Sequence, residues 1–262
     1  MEQLPINADT TNKIVDIANE STKEIRKEID KTTAKGISKL AQLFWATPLG
    51  IKADVYIQER PYKLEKEIKK MQAKYDCIPA EYQVEPSSYI ALKGVNELDY
   101  CLEEDHLKEM FENLLISDMD SRKKSKVLPS YIEIVKQLSK DDADILKYFY
   151  DKNMYSEAIM KIRYDYFSGG FKYYSNNIFL LVNDNYKILD SIVIDNLSRL
   201  NLVNVSFDTQ LNEPSLYNST FERIKKLPEF NNIPSKLFEL GHSDGLIKIT
   251  DFGKNFIDIC LS

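Results

Sequence analysis

The chain has 262 residues, enough for one large domain or two ordinary ones, with 43% hydrophobic and 29% charged residues, as is usual for a soluble globular protein. Its net charge of -6 argues against strong non-specific nucleic-acid binding, and its three scattered cysteines favour a reducing cytoplasm over a disulfide framework. The N-terminus lacks a basic segment followed by an apolar one, so no signal peptide is predicted.

The first half, roughly residues 10–138, carries almost only helical patterns. From Ile14 to Phe44 apolar residues recur on one helical face, opposite a face dense in Lys and Glu. This stripe is thin at its start, so the helix is predicted to fray there or to need a partner helix, and we expect self-association through it. The apolar stretch Ile37–Ile51 contains Lys39 and Pro48, so no membrane span is predicted.

Further helices are predicted before residue 139. One runs over Val55–Tyr75, where Pro61 either kinks it or begins a new helix, and another starts at Pro86. A denser apolar stripe then predicts a buried helix, and Pro129 opens the last one. The stripe residues are Leu107, Met110, Phe111, Leu114 and Leu115 in the former helix and Tyr131, Ile134, Val135 and Leu138 in the latter. Short amphipathic helices with short links predict an antiparallel helical array.

The second half has a different pattern. Ser139 is the predicted N-cap of a helix from Asp141 to about Tyr150, and a second helix is predicted over Ser156–Tyr166, before the break at Gly169-Gly170. The remaining elements follow in the order strand, helix, strand, helix, strand, helix. They are Ile178–Val182, Ile188–Leu200, Leu202–Phe207, residues 216–227, residues 246–249 and a last helix capped by Thr250. This order is typical of a winged helix-turn-helix domain.

The predicted recognition helix of that domain is poorly suited to DNA. Asp190 and Asp195 offset Lys187 and Arg199, and acidic residues outnumber basic ones in both halves of the chain. We therefore expect a winged helix that packs or contacts protein. A DNA-binding regulator stays open as the alternative.

Catalytic and metal-binding patterns are almost absent from the sequence. Glu103-x-x-His106 matches half of a carboxylate-bridged di-metal site, but no second Glu-x-x-His lies in a predicted helix, and the chain has no Cys-x-x-Cys pair. Gly169-Gly170 is not followed by the Gly-Lys-Ser/Thr of a phosphate loop. Gly241–Gly245 has the Gly-x-Ser-x-Gly spacing, but it is predicted as a flexible turn before a strand and not as the strand-to-helix turn that such a nucleophile requires. The sequence thus predicts no catalytic residue, no metal and no cofactor, and a protein that is not an enzyme.

Two surface features remain as candidates for binding. Seven tyrosines between residues 148 and 174 could stack on nucleotides, but few cations lie among them, which favours packing or a protein-partner surface. The basic turn Arg122, Lys123, Lys124 and Lys126 is either a solvated loop or a small site for an anion or an acidic partner.

One continuous segment resembles a known family. The segment contains, in this order, Ile78-Pro79, Glu85-Pro86, the acidic residues 103–105, Leu107-x-x-Met110-Phe111-x-Asn113-Leu114-Leu115, Met119-Asp120, Pro129 and Gln137-Leu138-Ser139-x-x-Asp142-Ala143. These residues and their order resemble the Abi-alpha (abortive infection alpha) family. The resemblance covers about a third of the chain and implies a role in bacterial defence against phage. It implies no catalytic residues.

Together these observations predict a mainly α protein. Residues 1–138 form an N-terminal antiparallel helical array that includes the family core at 78–138, and residues 139–262 form a winged-helix-like α+β domain with a small β-wing. We expect a cytoplasmic, non-enzymatic defence protein that contacts a phage or host protein. A membrane-acting effector, working through Ile37–Ile51, is a second alternative to the DNA-binding regulator.

Overall fold

The computed structural model describes residues 69–91, 93–94, 105–182, 185–230 and 236–262. The described residues up to Gln137, together with Ile259–Ser262, form one compact unit, and Leu138–Asp258 form a second. The predicted helix at residues 14–44, the stretch Ile37–Ile51 and most of the helix predicted at Val55–Tyr75 lie outside the described residues.

The described part of the first unit is mainly helical. It contains α1 (Asp105–Asp118) and α2 (Ser130–Val135), short 3-10 turns at Ala80–Tyr82 and Lys124–Lys126, and helical residues at 69–76 and 88–91. The predicted apolar stripes of both helices are buried, and α1 packs against α2. The buried helix predicted after Leu107 and the helix opened by Pro129 are thus confirmed.

The other side of α1 is polar and also buried. Asn113 Nδ2 donates a hydrogen bond to the carbonyl oxygen of Cys260 at 3.0 Å, and Ser117 Oγ donates to that of Ile259 at 3.1 Å. These carbonyls belong to the last residues of a helix, which have no partner further along their own helix. The polar side chains of α1 therefore satisfy acceptors that would otherwise be buried without a hydrogen bond.

The second unit begins with α3 (Lys140–Lys152), whose start is fixed by a capping box. Ser139 Oγ accepts a hydrogen bond from the Asp142 backbone N–H, and the Asp142 carboxylate accepts one from the Ser139 backbone N–H. The helix ends at Asn153, which takes the left-handed conformation with φ of 49°. The predicted N-cap at Ser139 is confirmed.

The remaining elements form one antiparallel sheet with three helices. The strands are β1 (Ser156–Tyr166), β2 (Phe171–Tyr173), β3 (Ile178–Val182), β4 (Asn185–Leu189), β5 (Val203–Ser206) and β6 (Phe238–Ile249), and the helices are α4 (Ser191–Arg199), α5 (Pro214–Ile224) and α6 (Asp251–Cys260). The strand order is β4-β3-β1-β6-β5, and β2 pairs with β1 beside β3. Gly169 and Gly170, both at positive φ, form the turn between β1 and β2.

Side chains of β1 alternate between two faces of the sheet. Ala158, Met160 and Ile162 point to the first face, where they form a core with Phe179, Leu181, Phe230 and the α5 residues Tyr217, Phe221 and Ile224. On the second face Ile159 is buried, as is Ile249 of β6. The helices α3 and α6 lie on that side, because Tyr148 of α3 bonds to Glu157 of β1 and Gly253 of α6 lies against the Ile249 side chain.

The prediction of a mainly α protein is wrong. The fold is α+β, and its centre is a six-stranded antiparallel sheet. Residues Ser156–Tyr166, predicted as a helix, form the 11-residue strand β1, which pairs along its whole length with the 12-residue strand β6. The apolar residues 158, 160 and 162 alternate as a strand requires, and long-range pairing with β6 overrides the local helical pattern.

The predicted winged helix with a small β-wing is corrected by the same observation. The helix-turn-helix assignment required consecutive helices at Asp141–Tyr150 and Ser156–Tyr166, and the second of these is β1. The helix predicted from Ile188 starts at Ser191 instead, because Asp190 caps it and residues 185–189 form β4. The strands predicted at Ile178–Val182 and 246–249, and the Thr250 cap of the last helix, are confirmed.

Candidate partner-binding surface

Among the described elements, α3 and α6 cover the second face of the sheet at one end. Beyond Ile159, β1 continues on this face with Lys161, Arg163 and Asp165, which are half-buried. Arg163 lies opposite Tyr173 and Asp165 opposite Phe171 on β2, so these rings share the face. We call the surface formed by these five residues with Phe207, Ser243 and the adjoining Phe167 and Leu237 the open face.

Large apolar side chains are exposed at the open face. Phe167 is 66% exposed, Phe171 53% and Leu237 70%. The Phe167 backbone N–H donates a hydrogen bond to the Leu237 carbonyl oxygen at 3.0 Å, which extends the β1–β6 ladder past its last paired residues. Exposed apolar residues grouped in this way mark interaction sites more often than residues scattered singly.

Lys161 lies at the centre of the open face. Its Nζ is 5.2 Å from the ring centroid of Tyr173 on one side and 5.2 Å from that of Phe207 on the other. Both distances are within the range of cation–π attraction. In the part of the chain that the structure describes, no carboxylate lies within 4.0 Å of this ammonium group.

Arg163, the next residue on the same face, is held by several neighbours. Its Nη1 donates a hydrogen bond to Ser243 Oγ at 2.9 Å, and its guanidinium carbon lies 4.9 Å from the centroid of the Phe171 ring. Its Nε is 2.7 Å from Asp165 Oδ1, an ion pair without hydrogen-bond geometry. The charges of Arg163 and Asp165 offset each other, which leaves Lys161 as the cation of the open face that has no counter-ion among the described residues.

Two glycines of β6 keep this surface flat. A Cβ at Gly245 would lie 2.7 Å from both a ring carbon of Phe207 and the backbone oxygen of Ser206, and a Cβ at Gly241 would overlap the Asp165 carboxylate. Glycine at these positions lets Phe207 and Asp165 lie across the neighbouring strand. The aromatic wall beside Lys161 therefore depends on the absence of a side chain at Gly245.

The predicted tyrosine cluster is divided between different surroundings. Tyr164 packs on the first face against Phe238, with ring centroids 4.3 Å apart, and its ring also contacts Tyr174. Tyr148 donates a hydrogen bond to Glu157 Oε1 at 3.1 Å, and burial raises the pKa of both groups. Of the seven, Tyr173 lies on the open face, so packing accounts for more of the cluster than a stacking platform does.

The four residues of the basic turn lie in the first unit, where Arg122, Lys123 and Lys124 form hydrogen bonds within their own chain. Arg122 Nη2 is 2.6 Å from Asp120 Oδ2, and this hydrogen bond lowers the pKa of Asp120. Lys123 Nζ donates to Ser262 Oγ, and Lys124 Nζ donates to the Glu85 carbonyl oxygen, each at 2.6 Å. Lys126 is exposed. The predicted anion or acidic-partner site at this turn stays a prediction.

The two histidines lie in different units. Glu103 of the Glu-x-x-His pattern lies outside the described residues, and His106 is in the first turn of α1. His242 packs its ring against Phe221 at 4.3 Å between centroids, and its Nδ1 is 2.6 Å from Asp244 Oδ1. Among the described residues no group of three or more His, Cys, Asp or Glu side chains is placed to hold a metal ion.

A comparison with sequence models of protein families shows which family the chain belongs to. The sequence model of the family described as abortive infection alpha matches residues 59–260, more than half of the chain. The chain belongs to the abortive infection alpha family. No curated protein and no solved structure matches it.

The family match extends well beyond the segment on which the resemblance was first based. It includes the sheet and therefore the open face, whereas the resembling segment ends before β1. No described helix is long and apolar enough to cross a bilayer. The setting that membership in this family suggests is abortive infection, a defence against phage.

Sequence reasoning missed the open face because it assigned β1 to a helix. One signal was present: Lys161, Arg163 and Asp165 alternate with Met160 and Ile162. This period of two places charges on one face of a strand and apolar residues on the other.

Proposed function

We propose that this chain is a cytoplasmic abortive-infection protein that acts without catalysis, by binding a phage or host protein at the open face. Membership in the abortive infection alpha family supports the defence role. One observation carries the proposed contact: Phe167, Phe171 and Leu237 are exposed together on a sheet end that also bears Lys161 and Arg163.

The composition of the open face suits a protein partner. Aromatic residues and arginine are enriched where protein interfaces are fully buried, and they dominate the binding energy there. Burying one exposed phenylalanine stabilises a complex by roughly 1.5–3 kcal/mol, about tenfold or more in affinity. Arg163 is held by Ser243, Asp165 and Phe171, so little side-chain entropy is lost when a partner covers it.

A phage challenge with a double variant tests the proposal. Cells that make Phe167→Ser with Phe171→Ser should lose protection, because both substitutions remove apolar area from the open face while leaving the first-face core intact. Ile192→Ser is the matched control, since Ile192 of α4 is 72% exposed and lies outside the open face. Protein amounts and melting temperatures are measured for each variant. Full protection by the double variant at wild-type abundance would contradict the proposal.

The two alternative functions have no comparable observation in their favour. The exposed residues of α4 include Ile192, Asp195 and Arg199, and Arg199 Nη2 donates a hydrogen bond to Asn196 Oδ1. This surface has little positive charge for phosphate contacts. The stretch Ile37–Ile51, on which a membrane effector depends, lies outside the described residues.

Self-association through the N-terminal helices is a separate proposal. It rests on the thin apolar stripe between Ile14 and Phe44, which buries little surface unless a second helix covers it. Light scattering of the full chain over a range of concentrations tests it. A strict monomer at the highest concentration would refute it.

A further inference from the structure

The ammonium group of Lys161 has hydrogen-bonding capacity that its own chain does not use. Its three N–H donors lie near two aromatic rings, those of Tyr173 and Phe207. Among the described residues, none accepts a hydrogen bond from this ammonium group. The rings fix the side chain in place and limit its hydration. An anion that reaches Lys161 therefore gains a partly desolvated, positioned cation.

The surroundings restrict what kind of anion fits. Arg163 is already paired with Asp165, and Glu239 lies opposite Asp165 on the same face. Among the described residues that form the open face, Lys161 is therefore the cation without an ion pair, and two carboxylates lie further along β1 and β6. A single negative group fits this arrangement, whereas a chain of phosphates that followed β1 would run past Asp165 and Glu239.

We propose that Lys161 is an anchor for a carboxylate, and that the partner presents an Asp or Glu side chain to it beside an apolar residue that packs on Phe171. The proposal rests on the proposed function, because it names the chemistry of the segment that the open face binds. Tyr173 and Phe207 orient the ammonium group, and the exposed rings of Phe167 and Phe171 supply apolar area next to it.

Selection from a displayed library of random peptides of about 12 residues tests this chemistry. The wild-type full chain should enrich sequences with Asp or Glu next to an aromatic or aliphatic residue. The affinity of a synthetic, fluorescein-labelled selected peptide is then measured by fluorescence anisotropy. Lys161→Met should weaken binding about tenfold or more, and the peptide with Gln in place of its acidic residue should lose the same factor.

The chain offers a matched control on the same hairpin. Lys172 of β2 lies opposite Tyr164, so it belongs to the first face, and it is exposed. Lys172→Met removes the same charge from the chain but should leave peptide affinity unchanged. Combining Lys161→Met with the Gln peptide should weaken binding no further than either change alone, which shows that the two groups contact each other.

Three results would overturn the proposal. The first is enrichment of library peptides that lack acidic residues, and the second is equal affinity of the wild type and Lys161→Met for the selected peptide. The third is Lys161-dependent binding of a fluorescent oligouridine of about 12 nucleotides in preference to the peptide. That result would assign the surface to single-stranded nucleic acid. The phage challenge separates this failure from that of the proposed function. If Phe167→Ser with Phe171→Ser abolishes protection while Lys161→Met does not, the open face is functional and the carboxylate anchor is wrong.

Discussion

Replacing Tyr217 by phenylalanine removes one hydroxyl group from the core that joins α5 to the sheet. Tyr217 is fully buried, and its hydroxyl donates a hydrogen bond to the Gly245 carbonyl oxygen at 2.9 Å. The same hydroxyl accepts a hydrogen bond from the Leu211 backbone N–H at 3.0 Å. Each such bond contributes about 0.5–1.5 kcal/mol net, and a buried polar group left without a partner costs about 1–3 kcal/mol. We therefore predict that Tyr217→Phe lowers the free energy of unfolding by about 2 kcal/mol.

Urea denaturation followed by far-ultraviolet circular dichroism measures this loss. Tyr155→Phe is the control, because Tyr155 is 41% exposed and the ammonium group of Lys254 lies over its ring, which the substitution keeps. It should change the free energy of unfolding by less than about 0.5 kcal/mol. Equal denaturation midpoints for Tyr217→Phe and Tyr155→Phe would refute the argument that this buried hydroxyl stabilises the contact between α5 and β6.

Two further predictions concern polar groups of the second unit. Burial raises the pKa of the Glu157 carboxyl group, so the folded state binds this proton more tightly than the unfolded state does. The free energy of unfolding therefore falls as pH rises through the raised pKa. In Glu157→Gln the urea midpoint should vary less between about pH 4 and 7, and at neutral pH it should exceed that of the wild type. Identical pH profiles would contradict this cause. Ser139→Ala removes the capping box of α3 and should lower the free energy of unfolding by about 1 kcal/mol, and with it the melting temperature. Ser198→Ala, at an exposed position of α4, should leave the melting temperature unchanged. Equal melting temperatures would show that the cap contributes nothing.

Local signals predicted one buried helix and the starts of three helices correctly. The stripe of α1, the break at Pro129, the cap at Ser139 and the cap at Thr250 each depend on residues close together in sequence. Such contacts are visible in the sequence because one helical turn contains all the partners. The predicted residues agree with the described structure at each of these positions.

Long-range pairing could not be predicted in the same way. The strand β1 depends on β6, whose register joins Ser156 to Lys248 and Tyr166 to Phe238. The segment Ser156–Tyr166 contains residues that suit a helix, and only its partner strand decides between the two states. The open face was missed with it, since a face is defined only when the strand and its neighbours are known.

Photo-crosslinking at Phe171 in infected cells tests the central claim most directly. A photoreactive phenylalanine analogue is placed at position 171 and, in a second strain, at position 192, where the exposed side chain lies outside the open face. The proposed function predicts a crosslinked protein adduct at position 171 that is absent at position 192. No adduct at position 171, or the same adducts at both positions, would contradict a partner bound at the open face.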